Sequence, residues 1–333
     1  MGTKIAITGI NSTLAFCILE KIIDDPRVEK IFGLDIRDYQ GPPSPKVEFY
    51  KGDVRNREDM INITKDADVL IHTAFIVISN LPDNMQEIYD ICIDGSRNAF
   101  RTAAESGVKR IIYSSSVAAY GMTKDTPEVL FEDTPLRGSL TKDFYYAYSK
   151  GTVEEYLDGF EKEYPNIKIT RLRPHIIIGP NFVKRTSNLK ILLKPLESKD
   201  KLILMVKPMH TKALEVQFTH ENDLVKVIVH AIFNDLHGAY NIAGEPVNLT
   251  DFAKSLGKRV FYASYRFVSF LVKIYAKFSK KGVFLFAWLL ALKKNLFMNC
   301  DKLLSTGITP SLISSKAAIE EALAIRKVEK QSK

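Results

Sequence analysis

Cysteine is scarce in this 333-residue chain: Cys17, Cys92 and Cys300 are odd in number and far apart. They make no disulfide framework and no metal-ligand cluster, so a reducing compartment is expected. The six histidines show no i, i+4 pair around a glutamate and no cysteine companions, and no metal site is expected. Long apolar runs are missing as well. The longest uncharged apolar stretch, Gly282–Leu292, is too short to cross a bilayer. The chain starts on a strand-like segment without the basic and apolar regions of a signal peptide, which makes the cytoplasm the expected location. There is no internal repeat and no low-complexity linker. With 46% hydrophobic and 26% charged residues the composition is that of a globular protein, neither disordered nor fibrous.

Acid is missing locally. The net charge is +8, yet the 49 residues from Phe252 to Cys300 hold no Asp or Glu and ten Lys or Arg, and the rest of the chain is close to neutral. A basic chain raises the question of nucleic acid. Here the charge belongs to one block that lacks a groove-reading motif and whose aromatic residues follow a core-like pattern, so no nucleic acid is expected. Residues 262–281 carry Phe267, Phe270, Leu271, Ile274, Tyr275 and Phe278 at helical spacing, with Lys273, Lys277 and Lys280 between them. This is an amphipathic helix with a cationic side. It leads into the apolar Val283–Leu292 and then Lys293-Lys294. These helices are expected to cover the substrate pocket and bury their stripes in the lobe. The sharper alternative is peripheral contact with anionic membrane, or a lid over a hydrophobic or acyl-bearing substrate.

What is present is a strand–helix rhythm. Lys4–Thr8, Lys30–Asp35, Val47–Tyr50, Asp68–Thr73 and Arg110–Ser114 read as strands, with helices at Ser12–Asp24 and near Asn84–Ser106. A helix over Thr141–Glu163, a strand at Ile167–Arg173, a helix near Glu221–Asn234 and a strand at Ala239–Ile242 follow. Alternating βαβ units imply an α/β fold with a doubly wound parallel sheet. The expected organisation is a nucleotide-binding domain over residues 1–174 and a smaller, mostly helical substrate lobe over 175–330, part of which returns to the first domain near 215–245.

The first strand–turn–helix is where a dinucleotide pyrophosphate would sit. It reads Gly9-Ile10-Asn11-Ser12-Thr13-Leu14-Ala15, against the usual Gly-x-x-Gly-x-x-Gly. Gly9 makes the tight turn, and Ala15 is small enough for close helix–sheet packing. Ser12 departs from the pattern by placing a side chain where backbone normally approaches phosphate, although its hydroxyl can donate to phosphate or cap the helix. Asp35 ends the second strand, where a carboxylate accepts bonds from both ribose hydroxyls and repels a 2′-phosphate. NAD is therefore expected over NADP, with Arg37 nearby keeping NADP open. Gly52-Asp53-Val54 follows the third strand, where Asp53 would meet the adenine amino group. The small residues of His72-Thr73-Ala74 would wall the cleft.

A second constellation lies mid-chain. Ser114-Ser115-Ser116 leaves the carboxyl end of the fifth strand, the side on which open α/β sheets bind ligands. Tyr146 and Lys150, four residues apart, share a helical face. An ammonium beside a phenol favours the phenolate and should lower the tyrosine pKa, while Ser116 holds the same substrate oxygen. The pairs Tyr120/Lys124 and Tyr164/Lys168 repeat the spacing, but Gly121 and Pro165 break their helices.

These pieces resemble, in order and separation, the extended short-chain dehydrogenase/reductases of the NAD-dependent epimerase/dehydratase family. Further matches are Arg173-Pro174 with Gly179-Pro180-Asn181, Gln217–Leu224 and Tyr240–Gly244. The resemblance implies a Rossmann-type domain with bound NAD(P), a Ser116–Tyr146–Lys150 catalytic set with Lys150 also on the nicotinamide ribose, and a homodimer paired through the Asn84–Ser106 and Thr141–Glu163 helices. Cofactor contacts are expected from Gly9, Asn11, Ser12, Thr13, Leu14, Asp35, Ile36, Asp53, Val54, Thr73, Ala74, Ser114, Tyr146, Lys150, Pro174 and Ile176. The sugar-nucleotide members usually carry an arginine where this chain has Val216, and a glycine-rich stretch where it has Lys207–His210, so that substrate class is weakened. The expected activity is hydride transfer at a hydroxyl or ketone carbon of a small-molecule substrate, hydrophobic or anionic. The alternatives are a nucleotide-sugar epimerase/dehydratase and a non-catalytic NAD(P)-binding sensor or scaffold.

Overall fold

The aliphatic runs of the first half each form a strand in the computed structural model, which describes residues 2–77, 84–207, 214–279, 295–309 and 311–331 with Leu285 and Leu289. The first half comprises β1 (Thr3–Thr8), α1 (Thr13–Ile22), β2 (Val28–Asp35), β3 (Val47–Lys51), α2 (Arg57–Thr64) and β4 (Val69–His72). It continues with α3 (Met85–Tyr89), a π turn at Asp90–Asp94, α4 (Gly95–Glu105) and β5 (Arg110–Ser114). The middle holds β6 (Val129–Leu130), α5 (Tyr145–Glu163), β7 (Lys168–Pro174), β8 (Ile176–Ile178), α6 (Pro180–Arg185), α7 (Ser187–Glu197) and β9 (Leu202–Lys207). Then come β10 (Glu215–Val216), β11 (Phe218–His220), α8 (Glu221–Phe233), β12 (Gly238–Ile242), β13 (Val247–Asn248), α9 (Leu249–Ser255), β14 (Arg259–Ser264), α10 (Tyr265–Ala276) and β15 (Phe297–Met298). Helices Asp301–Ser305 and Ser315–Gln331 follow.

Seven of these strands make one parallel sheet in the order β12-β7-β5-β4-β1-β2-β3. Because strand side chains alternate, Ile5 and Ile7 of β1 enter one core with Ile18, Leu19 and Ile22 of α1 and Leu224 and Ile228 of α8. Ala6 enters the opposite core with Phe100 of α4 and Val153, Leu157 and Phe160 of α5. Strand order reverses between β1 and β4, which opens a crevice at their carboxyl ends. A third core, around Val183, Phe218, Phe252 and Ile319, belongs to the elements beyond β7.

Three expectations need correction. α5 begins at Tyr145, not Thr141: Gly138–Leu140 is a tight 3-10 turn, Thr141 Oγ1 donates to the Arg137 carbonyl (3.2 Å), and Phe144 N–H closes onto the Thr141 carbonyl (3.0 Å). Residues 262–264 are strand rather than helix, because the run from Arg259 to Ser264 pairs in parallel with β9. The stripe of α10 is not buried in the lobe either, since only Tyr265 of that helix is buried. The Val283–Leu292 run lies outside the described residues apart from exposed Leu285 and buried Leu289. So do Lys280, Lys281, Lys293, Lys294 and the loop from Pro208 to Lys212. Among the described residues no helix is long and apolar enough to cross a membrane.

Candidate active site

Gly9 leaves β1 with a φ of 66°, and a Cβ there would come within 2.8 Å of the Ala74 backbone. Only glycine lets the β1 turn lie this close to the end of β4. Ser12 adopts extended backbone, and its Oγ accepts from Ala15 N–H at 3.1 Å while bonding Thr73 Oγ1 at 3.0 Å. The hydroxyl thus caps α1 and ties it to the end of β4. The amides of Thr13 and Leu14 remain as the first-turn donors that a helix start offers an anion. Thr73 Oγ1 in turn donates to the Thr8 carbonyl at 2.8 Å. Beneath it, buried His72 bridges Thr8 Oγ1 (2.8 Å) and Ser96 Oγ (2.9 Å), and burial pushes its pKa down to about 3.

Asp35 is buried at the end of β2, accepting from the amides of Asn11 (3.1 Å) and Arg37 (3.0 Å) and from Arg37 Nε (3.3 Å). A carboxylate has about four acceptor positions, so one remains for a ligand hydroxyl. The Asn11 side chain is used otherwise: its Nδ2 donates to the carbonyls of Arg37 and Asp38, and its Oδ1 accepts from Gln40 N–H. It shapes the loop beside Asp35. Ile36 stands exposed next to that carboxylate and Val54 is buried. Asp53 has both oxygens bonded by Arg55, which holds its carboxyl below the usual range. Pro174 and Ile176 follow on β7 and β8, beyond β5.

The catalytic candidates converge where β5 ends. Ser116 caps the 3-10 turn Val117–Tyr120, its Oγ accepting from Ala118 N–H at 3.2 Å, and it hydrogen-bonds the Tyr146 phenol. Lys150 Nζ donates to the Ser114 carbonyl at 2.6 Å. It sits 3.6 Å from the Phe75 ring centroid and 5.9 Å from that of Tyr146. The turn before α5 can dock this closely because of glycine: a Cβ on Gly138 would lie 2.5 Å from the Ala147 carbonyl oxygen.

The expected depression of the tyrosine pKa is not what this geometry produces. Burial pushes Tyr146 up to about 12, against the Ser116 bond and helped by Cys92. Burial also brings Lys150 down to about 7, against Cys92 and Glu154. Desolvation outweighs the attraction that the spacing suggests. In this state the phenol is a proton donor.

Other parts of the site were not evident from the sequence. Phe75 lies over the Lys150 ammonium and edge-on to Tyr146, with ring centroids 5.7 Å apart. Glu154, one helical turn past Lys150, is fully buried and accepts from Arg173 Nε (2.8 Å), Arg173 Nη2 (3.0 Å) and Arg171 Nη1 (3.3 Å). Arg173 Nη1 also donates to Tyr120 Oη (2.9 Å), whose hydroxyl donates to Asn241 Oδ1 (2.7 Å). The network clamps the Ser116 turn to the helix of Tyr146 and Lys150. A signal existed for Glu154, since i+4 from Lys150 continues its buried face. Phe75 gave none beyond following Ala74.

Human sterol-4-alpha-carboxylate 3-dehydrogenase, decarboxylating, is 28% identical over 149 residues, 42% of this chain and 36% of that one. N-acetyl-alpha-D-glucosaminyl-diphospho-ditrans,octacis-undecaprenol 4-epimerase of Escherichia coli O157:H7 is 34% identical over 92 residues, 27% of this chain and 26% of that one. The chain thus matches well under half the length of either curated relative. Among solved structures, the Bordetella bronchiseptica enzyme WbmH with NAD+ superimposes with a TM-score of 0.71 at 19% identity, over 98% of this chain and 99% of that one. The UDP-glucuronic acid 4-epimerase of Bacillus cereus with NAD gives 0.69 at 17% identity, over 98% of each. These likenesses show a shared fold. The match to the family description itself covers residues 5–243, and the chain belongs to the NAD dependent epimerase/dehydratase family.

Proposed function

We propose that the chain is an NAD(P)-dependent oxidoreductase acting at a hydroxyl or ketone carbon, with Tyr146 as proton donor and acceptor. The observation that carries this reading is the meeting of Ser116, Tyr146 and Lys150 at the carboxyl end of β5, on the same sheet edge as the Gly9 turn and Asp35. The residues fit a dinucleotide: a tight glycine turn, the free first-turn amides of α1 for phosphates, a carboxylate with an acceptor position left for ribose, and a buried lysine. When bound, that cofactor gives or takes the hydride. The protein's own groups handle the oxygen. Ser116 holds the substrate oxygen, and Tyr146, kept protonated at neutral pH, delivers its proton as a carbonyl is reduced. Lys150, bonded to Ser114 and shielded by Phe75, orients the ribose and supplies positive charge when protonated.

A hydrophobic substrate suits the apolar Val216, which cannot pair with a phosphate, better than a sugar nucleotide does. It also accords with a relative whose name carries a sterol. The epimerase reading keeps support from relatives named as 4-epimerases. Melting curves with NAD, NADH, NADP and NADPH test the proposal. A ligand at about 100 times its Kd adds about 2.7 kcal/mol of stability. The expected result is a larger shift with NAD(H) than with NADP(H). If none of the four raises the melting temperature at millimolar concentration, the proposal fails.

A further inference from the structure

The apolar stripe of an amphipathic helix normally faces its own core. In α10 it faces water: Phe267 and Phe270 are each 59% exposed, and Phe278, just past the helix, is 84% exposed. Leu271 and Ile274 continue the same stripe and are exposed as well. The ribbon leading into α10 repeats the arrangement. In the β9–β14 pair Leu204 stands opposite Phe261, paired residues share a face, and these two are 69% and 58% exposed. Exposed apolar groups at this density mark a surface that meets something.

Charge says what. Arg259, Arg266, Lys273 and Lys277 are all exposed on β14, on α10 and just beyond it. The 49 residues from Phe252 to Cys300 contain no acid, and the acid just before them, Asp251, is paired with Lys254 at 3.5 Å. A second copy of the chain is a poor occupant. Two-fold pairing lays the same patch on itself and sets these cations against their duplicates with no carboxylate in the segment between them. Nucleic acid accounts for the cations but not for the aliphatic part of the stripe. An anionic bilayer accounts for both, taking the apolar side chains at the headgroup–acyl boundary and the cations at its phosphates.

We propose that α10 and the outer face of the β9–β14 ribbon form an interfacial docking surface for anionic lipid bilayers. The surface lies outside the Ser116–Tyr146–Lys150 cluster, and the inference does not rest on the oxidoreductase reading.

The test is co-sedimentation of the full chain with vesicles of phosphatidylcholine alone and of phosphatidylcholine with about 30% phosphatidylglycerol. Binding to the anionic vesicles is expected at low salt, weakened about tenfold or more when phosphatidylglycerol is omitted or salt is raised. Arg259→Glu/Arg266→Glu/Lys277→Glu and Phe267→Gln/Phe270→Gln should each reduce it by a similar factor. Because all five positions are exposed, both variants should keep the parent melting temperature and its response to nucleotide, which confirms that they fold. Three results would overturn the inference: no binding of the parent at low salt, equal binding to neutral vesicles, or full binding by both variants. A concentration-dependent dimer in sedimentation velocity that the same substitutions dissociate would assign the surface to a second copy instead.

Discussion

Helices α5 and α10 each carry an apolar face, and the two faces meet opposite surroundings. On α5, Val153, Leu157 and Phe160 pack against Phe100 and Ile169, and the fully buried carboxylate of the helix, Glu154, is bonded by two arginines from β7. On α10, Phe267, Phe270 and Leu271 stand in water beside cations with no acid in their segment. The difference teaches that periodicity fixes which residues share a face, while only the rest of the fold decides what that face meets. α5 is over-determined, as a helix must be if it is to hold Tyr146 and Lys150 in place. α10 is under-determined: of its side chains only Tyr265 is buried.

The largest effect expected on the α5 side is catalytic. Tyr146→Phe removes only the phenolic oxygen from a position whose ring is packed against Phe75 and Phe144. General acid–base action contributes about 10²–10⁴-fold, so steady-state turnover should fall by that factor. The melting shift with nucleotide should persist. Loss of both together would mean that Tyr146 holds the site's shape rather than moving a proton.

Glu154→Gln strikes the clamp instead of the chemistry. Removing one partner of a buried ion pair costs about 3–5 kcal/mol, because the arginines are left buried and less compensated. Denaturant midpoints should report it. The sign with pH follows from the folded-state values. Desolvation works to raise the Glu154 carboxyl, but Arg173 and Arg171 hold it down to about 2 against an ordinary 4.5. The unfolded chain therefore binds the extra proton. This stabilisation is complete above pH 4.5 and is lost as pH falls toward 2. His72, pushed from 6.5 to about 3 by burial, acts in the same direction over its own interval. The parent should lose stability steadily in acid, and Glu154→Gln should show a flatter profile at the acid end. An unchanged slope would deny Glu154 its role.

Much of this was legible in the sequence because runs of β-branched residues mark parallel strands strongly; the fifth strand matched residue for residue at Arg110–Ser114. Tyr146 and Lys150 were legible because i, i+4 spacing survives any packing. Three things were not. The helix start at Tyr145 depended on the bond from Thr141 to Arg137, which is a property of the turn rather than of helix propensity. The direction of the Tyr146 shift depended on the desolvation of its phenol, which spacing does not reveal. The outward stripe of α10 had the same periodicity as a buried one, so only the structure could tell them apart.

The smallest expected effect is the sharpest test of the contrast between the two helices. Truncating Phe160, fully buried on α5, to alanine should cost about 3–5 kcal/mol through lost transfer and a cavity. Phe270→Gln on α10 removes an aromatic ring of equal size from a half-exposed position. If the surface is as unpartnered in the isolated protein as it stands here, stability should change by no more than about 0.5 kcal/mol. Denaturant midpoints for the two variants, measured without lipid, make the comparison. A cost for Phe270→Gln approaching that of Phe160→Ala would mean that α10 is buried in the isolated protein after all. The stripe would then be an ordinary core face, and the contrast would collapse. A negligible cost would leave Phe270 with no role in folding and a role only in contact with a partner.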